Sequence, residues 1–226
     1  MTPPPEAKLE AGLRTLGIPR VAAVCAKLIE FGNLLLKENK RTNLTGARSI
    51  DELVAEHFLD SLAPLQFVEL AQPIVDVGSG AGFPGIPLAI VFPKKRVILL
   101  EPRAKRSDFL STAAHTLGLE NVSVIKTSAR GPGATPLAAK AGTVLIRALA
   151  RPAISFGLGL PLLRPGGQLV LYEGRAAQAE SEDRRAATAA GGGKFSIRKV
   201  AVPGLSATRH VWLIRKAAGK GGKEPS

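Results

Sequence analysis

The stretch Ile74-Val75-Asp76-Val77-Gly78-Ser79-Gly80-Ala81-Gly82-Phe83-Pro84-Gly85-Ile86-Pro87 limits what this chain can fold into more than any other. An apolar run interrupted only by Asp76 leads straight into a loop nearly stripped of side chains. That pattern predicts a buried parallel strand turning into a helix. The glycines accept backbone dihedrals closed to other residues and let the main chain come close to a ligand. A tight strand-to-helix turn with no ligand has the same local pattern, so the loop alone leaves both readings open.

Spacing separates two ligand classes. Dinucleotide-binding loops read G-x-G-x-x-G, the third glycine packing helix on sheet and the helix N-terminus facing pyrophosphate. Here the pattern is G-x-G-x-G, and Phe83 stands where that third glycine would fall. A bulky residue suits a flat apolar ligand surface better than a pair of phosphates. S-adenosylmethionine fits: adenosine joined to a zwitterionic amino acid, with no phosphate. A second apolar run, 97–101, ends in Glu101, nineteen residues after Gly82. An acid there accepts ribose hydroxyls in nucleoside-binding α/β folds and repels a 2′-phosphate, which disfavours NADP. Its other reading is a mildly stabilising acid before the helix that begins near Ala104.

From Pro73 onward strand and helix patterns alternate. Strands are expected at 74–77, 97–101, 122–126, 143–147, 168–173, 195–202 and 210–215, with helices at 85–91, 104–117, 152–163 and 178–190. Pro165-Gly166-Gly167 reads as a turn feeding the fifth strand, and Gly191-Gly192-Gly193 as a flexible break. Alternation of this kind argues a mostly parallel sheet with helices on both faces. The segment 203–208 is too short for a crossover helix, so the last two strands should pair antiparallel. The expected fold is therefore α/β, a Rossmann-like seven-stranded sheet with its last two strands antiparallel, as in class I S-adenosylmethionine-dependent methyltransferases.

An N-terminal helical extension, 1–72, precedes this domain at 73–216, and a disordered basic tail is expected at 217–226. In the extension Val21, Val24, Leu28, Phe31 and Leu35 recur at helical spacing after Pro19. Ser49-Ile50-Asp51-Glu52 matches a capping box and opens a helix carrying Leu53, Val54, Phe58, Leu59 and Leu62.

The formal net charge is +13, and it is unevenly placed. Lys/Arg number 8 against 9 Asp/Glu through Gln72, 13 against 5 from Pro73 to Arg175, and 10 against 4 thereafter. The excess points to a polyanionic partner, nucleic acid above all. Aromatic residues are only 4%, which argues against a stacking platform for single strands. The single cysteine, Cys25, excludes an intrachain disulfide and reads as a small buried hydrophobe. His57, His115 and His210 lack metal-ligand spacing, so no metal site is expected. The N-terminus carries no secretory pattern, and no apolar run has spanning length; a cytoplasmic location is expected.

Several further segments point to one family. They are Arg41-Thr42-Asn43-Leu44-Thr45, His57-Phe58-Leu59-Asp60-Ser61-Leu62, the loop from Asp76 to Pro87, Lys105-Arg106 before Phe109-Leu110, Leu117 to Val122, Arg147-Ala148 and Arg209-His210. From about residue 20 to 216 the chain resembles the ribosomal RNA small subunit methyltransferase G family. The resemblance implies methyl transfer from S-adenosylmethionine to N7 of a guanine in the 530 loop of 16S rRNA, within the small ribosomal subunit. Carried over by position, it implies cofactor contacts from Gly78, Phe83, the pair Ala129-Arg130 and Arg147. Gly80 and Glu101 join them from the loop and strand patterns, and Arg147 is the candidate catalytic residue.

Two positions depart from the family pattern: Arg130, where a glutamate is common, and Glu173-Gly174, where the family tends to carry Lys-Gly. A carboxylate facing the base would stabilise a purine that turns cationic, which makes Glu173 a candidate. Asn43, His57 and Asp60 are readable as substrate contacts, and at least as well as helix caps or as ties between the helical part and the sheet. A small-molecule methyltransferase and a non-catalytic RNA-binding assembly module are the competing functional readings.

Overall fold

In the computed structural model, which describes residues 3–173 and 181–218, the first helix opens on a proline. Pro5 starts α1 (Pro5–Thr15), where a missing N–H leaves nothing unsatisfied. The apolar stripe after Pro19 forms one side of α2 (Val21–Thr42), which buries Val24, Cys25, Leu28, Phe31, Gly32 and Leu35. Asn43 ends that helix with φ of 49°, a left-handed conformation that asparagine tolerates. The Asn39 amide then ties the polar segment back, donating to the Thr45 carbonyl while its oxygen accepts from the Thr45 N–H.

The helix expected after Ser49 forms with two differences. Ser49 Oγ accepts the Glu52 N–H as a capping box requires, but the Glu52 carboxylate takes the N–H of Arg48 rather than that of Ser49. The helix is also not α throughout. α3 (Ile50–Leu53) passes into a π-helical segment (Val54–Leu59) before α4 (Asp60–Leu62). The buried pairs Leu53/Val54 and Phe58/Leu59 lie five residues apart, one more than an α repeat allows on a single face. The wider π turn keeps both pairs buried.

The sheet follows: β1 (Ile74–Val77), α5 (Gly85–Val91), β2 (Val97–Leu100), α6 (Ala104–Thr116), β3 (Val122–Ile125), β4 (Ala141–Arg147), α7 (Pro152–Gly159), β5 (Leu163–Tyr172), α8 (Ser181–Ala189), β6 (Gly192–Val200) and β7 (Arg209–Lys216). Its order is β3-β2-β1-β4-β5-β7-β6. The first five strands are parallel, and β7 runs antiparallel to both neighbours, β5 and β6. The hairpin expected at the end is present, with its second strand inserted between the fifth and the sixth.

Three local expectations are revised. The helix expected over 152–163 stops at Gly159, and a 3-10 turn over 160–162 leads into β5. Pro165 to Gly167 do not precede β5 but bulge within it: pairing jumps from Ala141 with Leu163 to Thr143 with Gln168. Gly192 and Gly193 begin β6 rather than breaking the chain, and only Gly191, at φ of 84°, makes the turn. Residues 178–180 of the expected last helix, and 219–226 of the expected tail, lie outside the described residues.

Alternate strand residues serve opposite faces, as strand geometry dictates. Ile74, Val97, Leu99 and Leu145 meet α1, α2 and α5 in one core, while Val75, Ile98, Leu100, Val144 and Ile146 meet α7 in the other. The helical segment before Pro73 therefore packs on one sheet face and shares its core. Trp212 of β7 is 1% exposed and anchors the second core against Phe156 and Phe195.

Candidate active site

Five parallel strands ending on one edge bring the expected residues together. In register, Val77 lies beside Leu100 and Ile146, Leu100 beside Ile125, and Arg147 beside Tyr172. Gly78, Glu101, the segment leading to Ala129-Arg130, Arg147 and Glu173 all follow at this edge. β1 and β4 flank the point where strand order reverses, and ligands of open α/β sheets bind at such a point.

The glycine loop is fixed from below. Gly78 and Ser79 N–H groups both donate to the Leu100 carbonyl, at 2.8 and 3.1 Å. Gly78 and Gly80 have φ of 73° and 58°, which side chains other than glycine rarely adopt. A Cβ on Gly78 would lie 2.7 Å from Leu149 Cδ1, whereas one on Gly80 would meet nothing nearer than 3.6 Å. The loop thus presents open backbone at Gly80.

Glu101 is 3% exposed, and its carboxylate is held by main chain on both sides. Oε2 accepts the Gly80 N–H and Oε1 the Arg103 N–H, each at 2.9 Å. The bond from Arg103, which immediately precedes α6, matches the reading of this acid as a support at the helix start, and the bond from Gly80 ties it to the glycine loop. Each oxygen keeps a second lone pair for a hydroxyl.

Asp76 is buried, and its Oδ2 accepts the Gly85 N–H at 3.0 Å while Oδ1 has no partner. Burial pushes its pKa up to about 7, with nearby Glu101 adding to the rise. Among the described residues, the buried side-chain atoms lacking a hydrogen-bond partner are His57 Nδ1, Asp76 Oδ1, Glu173 Oε2 and His210 Nδ1. Natively unpaired buried groups call for an explanation. Asp76 and Glu173 lie at or beside this strand edge, His210 is on β7 where its carbonyl accepts the Glu173 N–H, and His57 belongs to the π-helical segment.

Phe83 is 8% exposed, and its ring packs against Phe31, Phe58 and, at 4.7 Å, His57. Much of the apolar surface that the sequence suggests for a ligand thus serves the core beneath the loop. Burial, then the charge of Arg147, lowers the pKa of His57 to about 4, so its ring is neutral at physiological pH. Arg147 lies over the Phe83 ring at 5.9 Å. It donates to the Glu56 carbonyl and pairs with Asp60 Oδ2 at 2.8 Å, both from the π-helical turn and its continuation. The second oxygen of Asp60 takes Arg209 at 3.1 Å.

Of the readings open for Asp60, the structure favours the tie between the helical part and the sheet, through Arg147 of β4 and Arg209 of β7. Its signal was an acid set among Phe58, Leu59 and Leu62 on a buried helix, which requires a cation partner. Asn43 serves as a cap. Ala129 packs on the second core, and Arg130 is exposed, its Nη2 reaching the vicinity of Gly157 on α7.

The 3-2-1-4-5-7-6 sheet, with a glycine loop after β1 and a buried acid after β2, defines a class I S-adenosylmethionine-dependent methyltransferase. The residues fit that cofactor: open backbone at Gly80, free acceptor capacity on Glu101 and an unpartnered carboxylate oxygen on Asp76. The family profile described as rRNA small subunit methyltransferase G matches residues 24–211, and the chain belongs to that family.

Relatives named ribosomal RNA small subunit methyltransferase G include that of Azoarcus sp. (strain BH72), 38% identical over 209 residues, covering 92% of this chain and 95% of that one. That of Methylococcus capsulatus is 39% identical over 203 residues, covering 90% and 95%. Two solved structures share the fold at low identity. One is the 16S rRNA (adenine(1408)-N(1))-methyltransferase of Catenulisporales acidiphilia, a mutant with its cosubstrate SAM, at TM-score 0.51, 17% identity and 64% and 84% coverage. The other is a complex of the Haloferax volcanii Trm112 activator with a methyltransferase, at TM-score 0.58, 13% identity and 81% and 97% coverage. The chain is an S-adenosylmethionine-dependent rRNA methyltransferase. Among the described residues no helix is long and apolar enough to cross a membrane.

Proposed function

We propose that this enzyme methylates N7 of a guanine in the 530 loop of 16S rRNA, acting on the small ribosomal subunit in the cytoplasm. Family membership over most of the chain supports the target. The observation that carries the chemistry is the single strand edge that gathers Gly78, Gly80, Glu101 and Arg147. When bound there, S-adenosylmethionine supplies a methyl group activated on a sulfonium.

Glu101 would accept its ribose hydroxyls, and the backbone at Gly78, Gly80 and 129–130 would line its approach. Phe83, its ring buried, would contribute through its main chain, and Arg147 would position cofactor and base between β1 and β4. Guanine N7 carries an in-plane lone pair and no proton, so its methylation would require no proton transfer from the protein. No general base would be needed, and His57, neutral but packed on Phe83, is not placed to act as one. The remaining demand is in-line approach within about 3–3.5 Å, which positioning supplies. The helical layer before Pro73 would carry Asp60 to the site as part of the catalytic unit.

Mapping N7-methylguanine in 16S rRNA from cells with and without the gene tests the reading. Loss of one modification in the 530 loop is expected. An unchanged pattern, together with methylation of free nucleosides by the purified protein, would favour a small-molecule substrate.

A further inference from the structure

A cavity of about 180 Å³ opens between the ends of β4, β5 and β7, lined among others by Asp60, Arg147, Tyr172, Glu173, Arg209 and His210. Most of its polar groups are already engaged. Asp60 binds Arg147 with one oxygen and Arg209 with the other, and the Tyr172 hydroxyl donates to the Ser61 carbonyl at 2.9 Å. Glu173 Oε2 and His210 Nδ1 are buried without a partner. Burial, and then the negative charge of Asp183, raises the pKa of Glu173. A ligand presenting N–H donors to this oxygen removes a desolvation cost that the free protein carries.

We propose that Glu173 is a specificity-determining residue that accepts the N1–H and 2-amino hydrogens of the target guanine within this cavity. The proposal rests on the rRNA methylation reading above. Strand order supports the placement. The cofactor loop follows β1, Arg147 follows β4 and Glu173 follows β5, so the acid lies two strand spacings, about 10 Å, from Gly78 along the sheet edge. A purine between them with N7 toward β1 turns its opposite edge, N1–H and the 2-amino group, toward Glu173. Adenine would present a lone pair at N1 there, which a carboxylate repels, so the acid selects guanine. It also faces a base that becomes cationic on methylation, a gain realised only as the reaction proceeds.

The test uses small subunits reconstituted with 16S RNA carrying guanosine or inosine at the target position; inosine lacks the 2-amino group. Methyl incorporation from labelled S-adenosylmethionine is read for wild type, Glu173→Ala and the near-isosteric Glu173→Gln, with cofactor affinity by calorimetry as the folding control. Glu173→Ala is expected to lower kcat/KM on guanosine substrate about 10–100-fold, as removal of charge-assisted hydrogen bonds would, with cofactor affinity unchanged. Glu173→Gln should fall between the two. Inosine should cost the wild type about tenfold and Glu173→Ala less than twofold, a coupling that a merely structural role would not produce. An equal inosine penalty in both proteins, or Glu173→Ala within twofold of wild type on guanosine, overturns the proposal. A wild type that leaves the guanosine substrate unmethylated overturns the underlying reading instead, and the proposal with it.

Discussion

At the scale of single residues, two buried carboxylates at the same strand edge have opposite characters. Glu101 is tethered by two backbone N–H groups, while Asp76 has one and leaves an oxygen bare. Glu101→Ala removes the acceptor for ribose hydroxyls and frees the Gly80 N–H. Cofactor affinity should fall by about 2–3 kcal/mol if both hydroxyl bonds are charge-assisted. Calorimetry on the folded variant measures this, and unchanged affinity would reduce Glu101 to a support of the loop. Asp76, with a folded pKa near 7, keeps its proton where an unfolded aspartate has lost it. Its contribution to stability is therefore full below about pH 4 and is lost as pH rises through 7. Asp76→Asn cannot ionise and retains an acceptor for Gly85. The stability difference, variant minus wild type, should grow from pH 4 to pH 7 and level off above, as denaturant titrations at each pH would record. The second apolar run made Glu101 legible, whereas Asp76 showed only as an interruption of the first. Their different satisfaction was not legible, because it depends on which main-chain groups fold back onto each carboxylate.

At the scale of elements, the π-helical turn and its continuation place the Glu56 carbonyl and Asp60 against Arg147. Asp60 in turn binds Arg209 from β7, joining the helical layer to two strands of the sheet. Side-chain exposures of 8% for Asp60, 16% for Arg147 and 28% for Arg209 make this a largely buried triad with a net positive charge. Removing the shared acid leaves two cations facing each other. Asp60→Ala should destabilise the fold by about 2–4 kcal/mol, the usual cost of an orphaned buried pair reduced for the partial exposure of Arg209. It should also weaken cofactor binding by releasing Arg147. A double-mutant cycle of Asp60→Ala with Arg209→Ala, read by denaturant unfolding, should show favourable coupling of roughly 1 kcal/mol or more. Additive effects would mean that the triad is held by packing alone. Most strands and helices were readable to within a few residues, since their apolar periods are unambiguous. The π turn over Val54–Leu59 was not legible, because Val54 and Phe58 also satisfy the four-residue α spacing. The insertion of β7 between β5 and β6 was not legible, because neither strand order nor the bulge at Pro165 to Gly167 leaves a local signature.

At the scale of the whole molecule, the uneven charge acquires a location. Arg103, Lys105, Lys126 and Arg151 are exposed on segments that follow β2, β3 and β4, around the edge that holds the site. None of them belongs to an ion pair among the described residues. Arg147 and Arg209 are neutralised in part by Asp60. Among the described residues around this edge, the rim cations are free to meet RNA phosphates, whereas the two interior arginines already share Asp60. Affinity for the small subunit should fall steeply as salt rises, because each phosphate neutralised releases condensed counterions. Replacing Arg103, Lys126 and Arg151 together by alanine should flatten the slope of log K against log salt by about 2–3, near one for each phosphate left without its cation. Cofactor affinity should stay as it is, since the Arg103 main-chain N–H that binds Glu101 survives the substitution. Arg14→Ala with Lys8→Ala, on the near-neutral helical segment and already paired with Glu10 and Asp51, should leave the slope unchanged. Filter binding across a salt series reads the rim variant and this control on one axis. Equal slopes for wild type and the rim variant would move RNA docking to another face of the protein, and the basic edge would then serve only to draw the substrate in.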